Sequence, residues 1–212
     1  MKILAIDSAH GTCSAAYFNG DKVVSEIVEE MERGQAERLL PMVQDVLKRA
    51  GAGFEEIEAV AVTTGPGSFT GVRVGLAAAD GIALAAGLPM IGVSVLETLA
   101  WKIHRRNSGL EKLCLVLETK RDDFYIQRYN RGVPLEEPAA KTAEEIKAFC
   151  SEYAFAGNGV NRLIEEIGDV NVCAVSMPTA ADVALLASGR QPQKEFPAAM
   201  YLREAEVTVC RK

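Results

Sequence analysis

Gly65-Pro66-Gly67-Ser68-Phe69-Thr70-Gly71-Val72-Arg73-Val74-Gly75 joins a strand to a helix. Before it, Ala59-Val60-Ala61-Val62-Thr63-Thr64 is short, apolar and β-branched, the pattern of a buried strand. After it, Leu76 to Ala86 is alanine-rich and stops at Gly87 and Pro89. Gly65 and Gly67 permit backbone angles that other residues avoid, and Pro66 fixes one φ between them. Ser68 or Thr70 can cap the helix. Gly71 and Gly75 stand four apart and share a helix face. Each costs about 1 kcal/mol against Ala in a helix, so the pair implies a close approach by another backbone. Such a joint could cradle an anion at a helix N-terminus, pack tightly inside its own fold, or receive another protein's helices. It is not a P-loop, for no Gly-x-x-x-x-Gly-Lys-Ser/Thr is present.

A chain of 212 residues with 49% hydrophobic content can bury a full core as one large domain or two lobes. Its formal charge of −6 argues against binding nucleic acid unaided, because phosphate contacts need clustered Lys and Arg. Arg105-Arg106 and the terminal Arg211-Lys212 read as solvated ends. The five cysteines, Cys13, Cys114, Cys150, Cys173 and Cys210, form no Cys-x-x-Cys pair and fit a reducing cytoplasm. The N-terminus opens directly on a strand rather than a leader. The longest uncharged run, Gly81 to Leu96, is broken by Gly87 and Pro89, so no membrane span is expected.

In chain order, strands are expected over Lys2 to Ile6, Cys13 to Phe18 and Lys22 to Val28, a meander with an Asn-Gly turn. A helix follows over Glu37 to Ala50, with Pro41 tolerable only in its first turn. Met90 to Val93 is a strand, and Ser94 caps a helix to Arg105. Asn107-Ser108-Gly109 divides the chain into lobes of 1–107 and 108–212. Beyond it the pattern restarts. At an offset of 111 residues, Asp7-Ser8 falls on Glu118-Thr119 and Phe18-Asn19 on Tyr129-Asn130, the mark of a duplicated lobe. Thr142-Ala143-Glu144-Glu145 is a capping box. Strands are expected at Tyr153 to Ala156 and Val170 to Val175, and helices after Gly157-Asn158-Gly159 and after Thr179.

Two lobes, each with a meander and an acid after its first strand, resemble the actin/sugar-kinase/Hsp70 superfamily. The chain is similar, within it, to the TsaB (YeaZ) family. The resemblance is carried by Ile3 to Ala9, Cys13 to Ala16, Leu40 to Val43, Gly65 to Gly75, Leu88 to Ser94 and Tyr201-Leu202-Arg203. It implies an α/β fold of two actin-like (ribonuclease-H-like) lobes, each a mixed sheet with an antiparallel meander and flanking helices. It also implies a cytoplasmic, non-catalytic subunit needed for threonylcarbamoylation of the adenosine next to the anticodon in tRNA. Its expected partners are a catalytic TsaD-like paralogue and a TsaE-like ATPase, with tRNA met only through the complex. The family packs its first-lobe helices on the paralogue. Leu39, Val43, Phe69, Gly71, Val72, Arg73, Gly75 and Leu76 are therefore the expected partner face, and the same helices could pair two copies of the chain. Two departures stand out: Gln35 where a His often precedes the Leu-Pro, and Glu118-Thr119-Lys120 where Asp-Ala-Arg is usual.

The chemistry points the same way. The superfamily's phosphate turn is usually Asp-x-Gly-Thr/Ser, whereas Asp7-Ser8 is followed by Ala9 and His10. Asp7, Ser8 and Glu118 are thus the residues of a degenerate nucleotide site, and the favoured reading of Asp7 is a carboxylate capping backbone N–H groups. His10 and His104, the only histidines, read as a loop residue and a helix-end residue. No His-Glu-x-x-His or Gly-x-Ser-x-Gly is present, so no catalytic residue, metal or cofactor is expected. The alternative from the enzyme class is an ATP-dependent phosphotransferase or ATPase using Asp7 and Glu118.

Overall fold

The structure, a computed structural model, describes residues 1–193 and 195–202; Arg203, Cys210, Arg211 and Lys212 lie outside the described residues. The first meander is β1 (Ile3–Asp7), β2 (Thr12–Phe18) and β3 (Val23–Glu30), followed by α1 (Gln35–Ala50) and β4 (Ala59–Thr63). Then come α2 (Phe69–Ala86), β5 (Met90–Val93) and α3 (Val95–Arg106). The strands order as β3-β2-β1-β4-β5, antiparallel through the meander and parallel from β1 onward.

The second half repeats this plan. It runs β6 (Lys112–Glu118), β7 (Asp123–Asn130), β8 (Val133–Pro134), β9 (Ala139–Thr142), α4 (Ala143–Lys147), β10 (Ala154–Ala156), α5 (Val160–Ile167), β11 (Asn171–Val172) and α6 (Ala180–Ala187). Its sheet orders as β11-β10-β6-β7-β8, with β9 also on β7. The antiparallel β6–β7 hairpin and the parallel β6–β10 pair match β1–β2 and β1–β4. The duplication read from the 111-residue offset is thus a duplication of topology, and the expected α/β fold of two actin-like lobes stands.

Strand periodicity assigns the faces of the first sheet. Leu4, Ile6, Val60 and Val62 point to the side packed with Val43, Val46, Leu76 and Ala79 of α1 and α2. Ile3, Ala5, Ala59 and Ala61 point to the other side, against Ala180, Val183, Ala184 and Ala187 of α6. This corrects the division at residue 108, because α6 returns to the first lobe's sheet. Small residues on both surfaces allow that close fit, and Lys102 of α3 pairs with Asp182 of α6 at 2.8 Å. Pro41 is also placed differently, within α1 rather than in its first turn. Pro41 and Glu37, whose carbonyl loses its N–H partner, are both exposed, so water satisfies the freed acceptor.

By length and composition α2 is long and apolar enough to cross a membrane, although the sequence reading weighed only Gly81 to Leu96. Gly71, Val72, Gly75, Leu76, Ala79, Ile82 and Ala83, one side of α2, are buried within the chain.

Candidate functional site: two closed turns and an outward helix face

A cleft of about 940 Å³ opens between the lobes, with His10, Gly67 and Thr70 on one wall and Glu118, Lys120 and Asn158 on the other. The β1–β2 turn bounds it, yet Asp7 is fully buried. The Thr63 hydroxyl donates to Asp7 Oδ1 at 2.6 Å, the Ala9 N–H at 3.3 Å, and His10 Nε2 stands 3.2 Å from Asp7 Oδ2. The Ser8 hydroxyl donates to the Gly71 carbonyl at 2.8 Å. The turn that would hold phosphate therefore spends both side chains on its own chain. Asp7 does cap a backbone N–H, as expected, but its closest donor is the Thr63 hydroxyl. His10 is a loop residue, as expected, but a buried and ion-paired one, because the β1–β2 turn folds it back over Asp7. An Asp-x-x-His spacing in place of Asp-x-Gly-Thr was the signal for this pair.

Burial works to raise the Asp7 carboxyl, but the His10 charge and the hydrogen bonds together leave it below its ordinary value. Burial likewise works to lower His10, and the Asp7 carboxylate overcomes it and leaves the imidazole raised. The signs follow by linkage. The Asp7 contribution is complete above its unfolded pKa of about 3.9 and is lost as pH falls through the depressed folded value. The His10 contribution is complete below about 6.5 and is lost as pH rises through the raised folded value. His10→Gln is expected to abolish the alkaline decline and also to weaken the acid decline, because it removes the largest influences holding the Asp7 carboxyl down against burial, read from urea midpoints across the pH range.

The β6–β7 turn is closed in another way. Arg162 of α5 donates to the carbonyls of Thr119 at 3.1 Å and Arg121 at 2.9 Å, and its guanidinium lies 4.0 Å over the Phe124 ring. The Thr119 hydroxyl donates within the turn, to Asp123. Glu118 is exposed, its backbone N–H donates to Asn158 Oδ1 at 3.0 Å, and its carboxylate is 3.9 Å from Arg162. Gly159 is the N-cap of α5. A Cβ at Gly157 would overlap the Val116 carbonyl, as one at Gly67 would overlap that of Ala9. Among the described residues, no group of three or more His, Cys, Asp and Glu could hold a metal ion. The four described cysteines are free.

The expected partner face divides. Leu39, Val43, Val72 and Leu76 are core residues. Gly71 and Gly75 face Ser8 of the same chain: a Cβ at Gly71 would overlap the Ser8 carbonyl, and one at Gly75 would stand 2.7 Å from Ser8 Oγ. These six are corrected from partner contacts to internal packing, because the β1–β2 turn lies flush on the first turns of α2, and Leu39 and Val43 of α1 pack into the core of the first sheet. Phe69 and Arg73 are exposed. The Arg73 guanidinium lies 3.6 Å over the Phe69 ring, and its Nε donates to the Tyr201 hydroxyl at 2.9 Å. The outward face of α2 carries Ala77, Gly81, Leu84 and Ala85, all exposed, with Leu84 75% accessible. A Cβ at Gly81 would meet nothing within 4 Å. Leu40 of α1 is exposed as well. The sequence reading passed over Ala77, Gly81 and Leu84. Their signal is that, Asp80 apart, every residue of α2 from Val74 to Ala86 is apolar or glycine, more than one sheet can cover.

The family model for TsaD, tRNA N6-adenosine threonylcarbamoyltransferase, matches residues 22–190. The tRNA threonylcarbamoyladenosine biosynthesis protein TsaB of Escherichia coli is 44% identical over 131 residues, 62% of this chain and 56% of that protein. This chain thus spans little more than half the length of that relative. The TsaB protein of Buchnera aphidicola subsp. Baizongia pistaciae is 30% identical over 78% of both chains. A Pseudomonas aeruginosa crystal structure, of a protein described as similar to peptidase YeaZ, superposes with a TM-score of 0.81 at 29% identity, covering 95% of this chain and 99% of that one.

Proposed function

Since this chain belongs to the TsaB family, we propose that it serves tRNA threonylcarbamoyladenosine biosynthesis as a non-catalytic subunit that docks on a TsaD-family catalytic paralogue. The observation that carries the reading is the outward face of α2. Gly81 sits mid-helix in open space, where Gly costs about 1 kcal/mol against Ala and gains nothing internally. Beside it Leu84 is 75% exposed. A bare glycine next to an exposed leucine suits the close approach of another helix. The non-catalytic role rests on the two closed turns. Asp7 and Ser8 are consumed by Thr63, His10 and Gly71, and Arg162 fills the turn beside Glu118. In this reading the paralogue performs the transfer, a TsaE-like ATPase joins the pair in the cytoplasm, and tRNA is met only through the assembly. The same face can pair two copies when the paralogue is absent.

The test is a reconstitution of TsaD-like and TsaE-like proteins, tRNA and the threonylcarbamoyl donor, with modified adenosine scored by mass spectrometry. Modification should require this chain. Leu84→Asp should abolish both pairing and modification with the circular dichroism spectrum unchanged, and Glu118→Ala should leave both intact. Asp7 is unsuited to this test, because its burial makes any substitution a test of folding. Modification that proceeds equally without the chain would defeat the proposal. Micromolar magnesium-ATP binding by the chain alone, lost in Glu118→Ala, would favour the phosphotransferase reading.

A further inference from the structure

Asp80 lies on α2 immediately before Gly81, three residues after Ala77 and four before Leu84, so it borders the outward face. Its Oδ1 is buried and accepts no hydrogen bond. Burial lifts its carboxyl above the ordinary range. Arg73, the one base on α2, is engaged by Phe69 and Tyr201. Among the described residues no donor repays this desolvation, which costs free energy while the oxygen lacks one. Charged residues are depleted in interface cores unless a partner neutralises them. Resting on the docking role proposed above, we infer that the TsaD-family partner sets an Arg or Lys side chain against Asp80 when it packs on Gly81 and Leu84. The partner surface this fits is apolar and bulky opposite Ala77 and Gly81, with one base at its edge. A second copy is the poorer occupant. The one base on the copy's α2, Arg73, is already held by Phe69 and Tyr201, and wherever two Asp80 carboxylates meet, like charges disfavour pairing.

The test is calorimetric titration of the full chain with its TsaD-family paralogue at low and high salt. Asp80→Asn keeps shape and helix but removes the charge. It should weaken pairing by about tenfold or more and flatten the salt dependence, with a urea midpoint no lower than wild type. Pairing by Asp80→Asn equal to wild type, or tighter pairing by Asp80→Leu, would overturn the inference and leave the docking role standing. No binding by the wild-type chain would remove the docking role and the inference together. Sedimentation of the chain alone completes the test. Asp80→Asn should self-associate at least as strongly as wild type, and weaker self-association would place the base on a second copy and overturn the assignment.

Discussion

Gly71→Leu is expected to unfold the chain or cost it more than about 3 kcal/mol, beyond the usual range for overpacking. The first turn of α2 lies against the β1–β2 turn so closely that even a Cβ at residue 71 would overlap the Ser8 carbonyl. That carbonyl is backbone and cannot rotate aside, and the Ser8 hydroxyl already ties the two segments by donating to the Gly71 carbonyl. Gly75→Ala should be milder, because its obstruction at 2.7 Å is a hydroxyl at the end of a side chain. Gly81→Ala should be neutral or stabilising by up to about 1 kcal/mol, since the site is open and helical Ala is favoured over Gly. Three glycines of one helix are thus expected to give three different urea midpoints, ordered by what stands opposite each. Equal losses at Gly71 and Gly81 would contradict the packing described.

Asp182→Asn is expected to cost about 3 kcal/mol by leaving a buried ammonium unpaired, which in a chain of this size lowers Tm by roughly 6–12 °C. Lys102 Nζ lies 2.8 Å from Asp182 and also donates to the Met177 carbonyl at 3.0 Å and Ser176 Oγ at 3.2 Å. Lys102 is buried and Asp182 nearly so, so solvent screens the pair little. The bond fastens α6, a late element of the chain, to α3, while α6 itself packs on the first sheet. Replacing both partners with apolar residues, Lys102→Met with Asp182→Leu, should recover most of the loss, because a removed pair is less costly than a broken one. Calorimetric Tm values of the single and double variants decide it. A double variant no better than Asp182→Asn would mean that the Asp182 cap on α6, and not the ion pair, carries the energy.

Much of the architecture was legible because it is written in local terms. Apolar runs punctuated by Asn19-Gly20, Gly51, Gly87 and Asn107-Ser108-Gly109 gave the elements nearly to the residue, and the 111-residue offset anticipated the doubled topology. Ser68 caps α2 as its sequence suggests, accepting from the Gly71 N–H. Elements made mainly by long-range pairing were harder. β9 (Ala139–Thr142) has no period of its own and exists because β7 offers it an edge.

The amino-acid sequence by itself determined the family, the two-lobe α/β plan and the departure of the β1–β2 turn from Asp-x-Gly-Thr/Ser, since each depends on residue types at short spacing. Only the tertiary structure decided which side of α2 is internal. Gly71, Val72, Gly75 and Leu76 belong to the core, and Ala77, Gly81 and Leu84 lie outside it. A helix whose residues 74–79 and 81–86 are all apolar or glycine carries, in Arg73 and Asp80, only a sparse mark of where its own sheet lies, so the division comes from the β1–β2 turn and β4 settling on one side. The same holds for His10 and α6. Asp7 and Lys102 find their partners, at 3.2 Å from His10 and 2.8 Å from Asp182, only once the chain has folded back on itself.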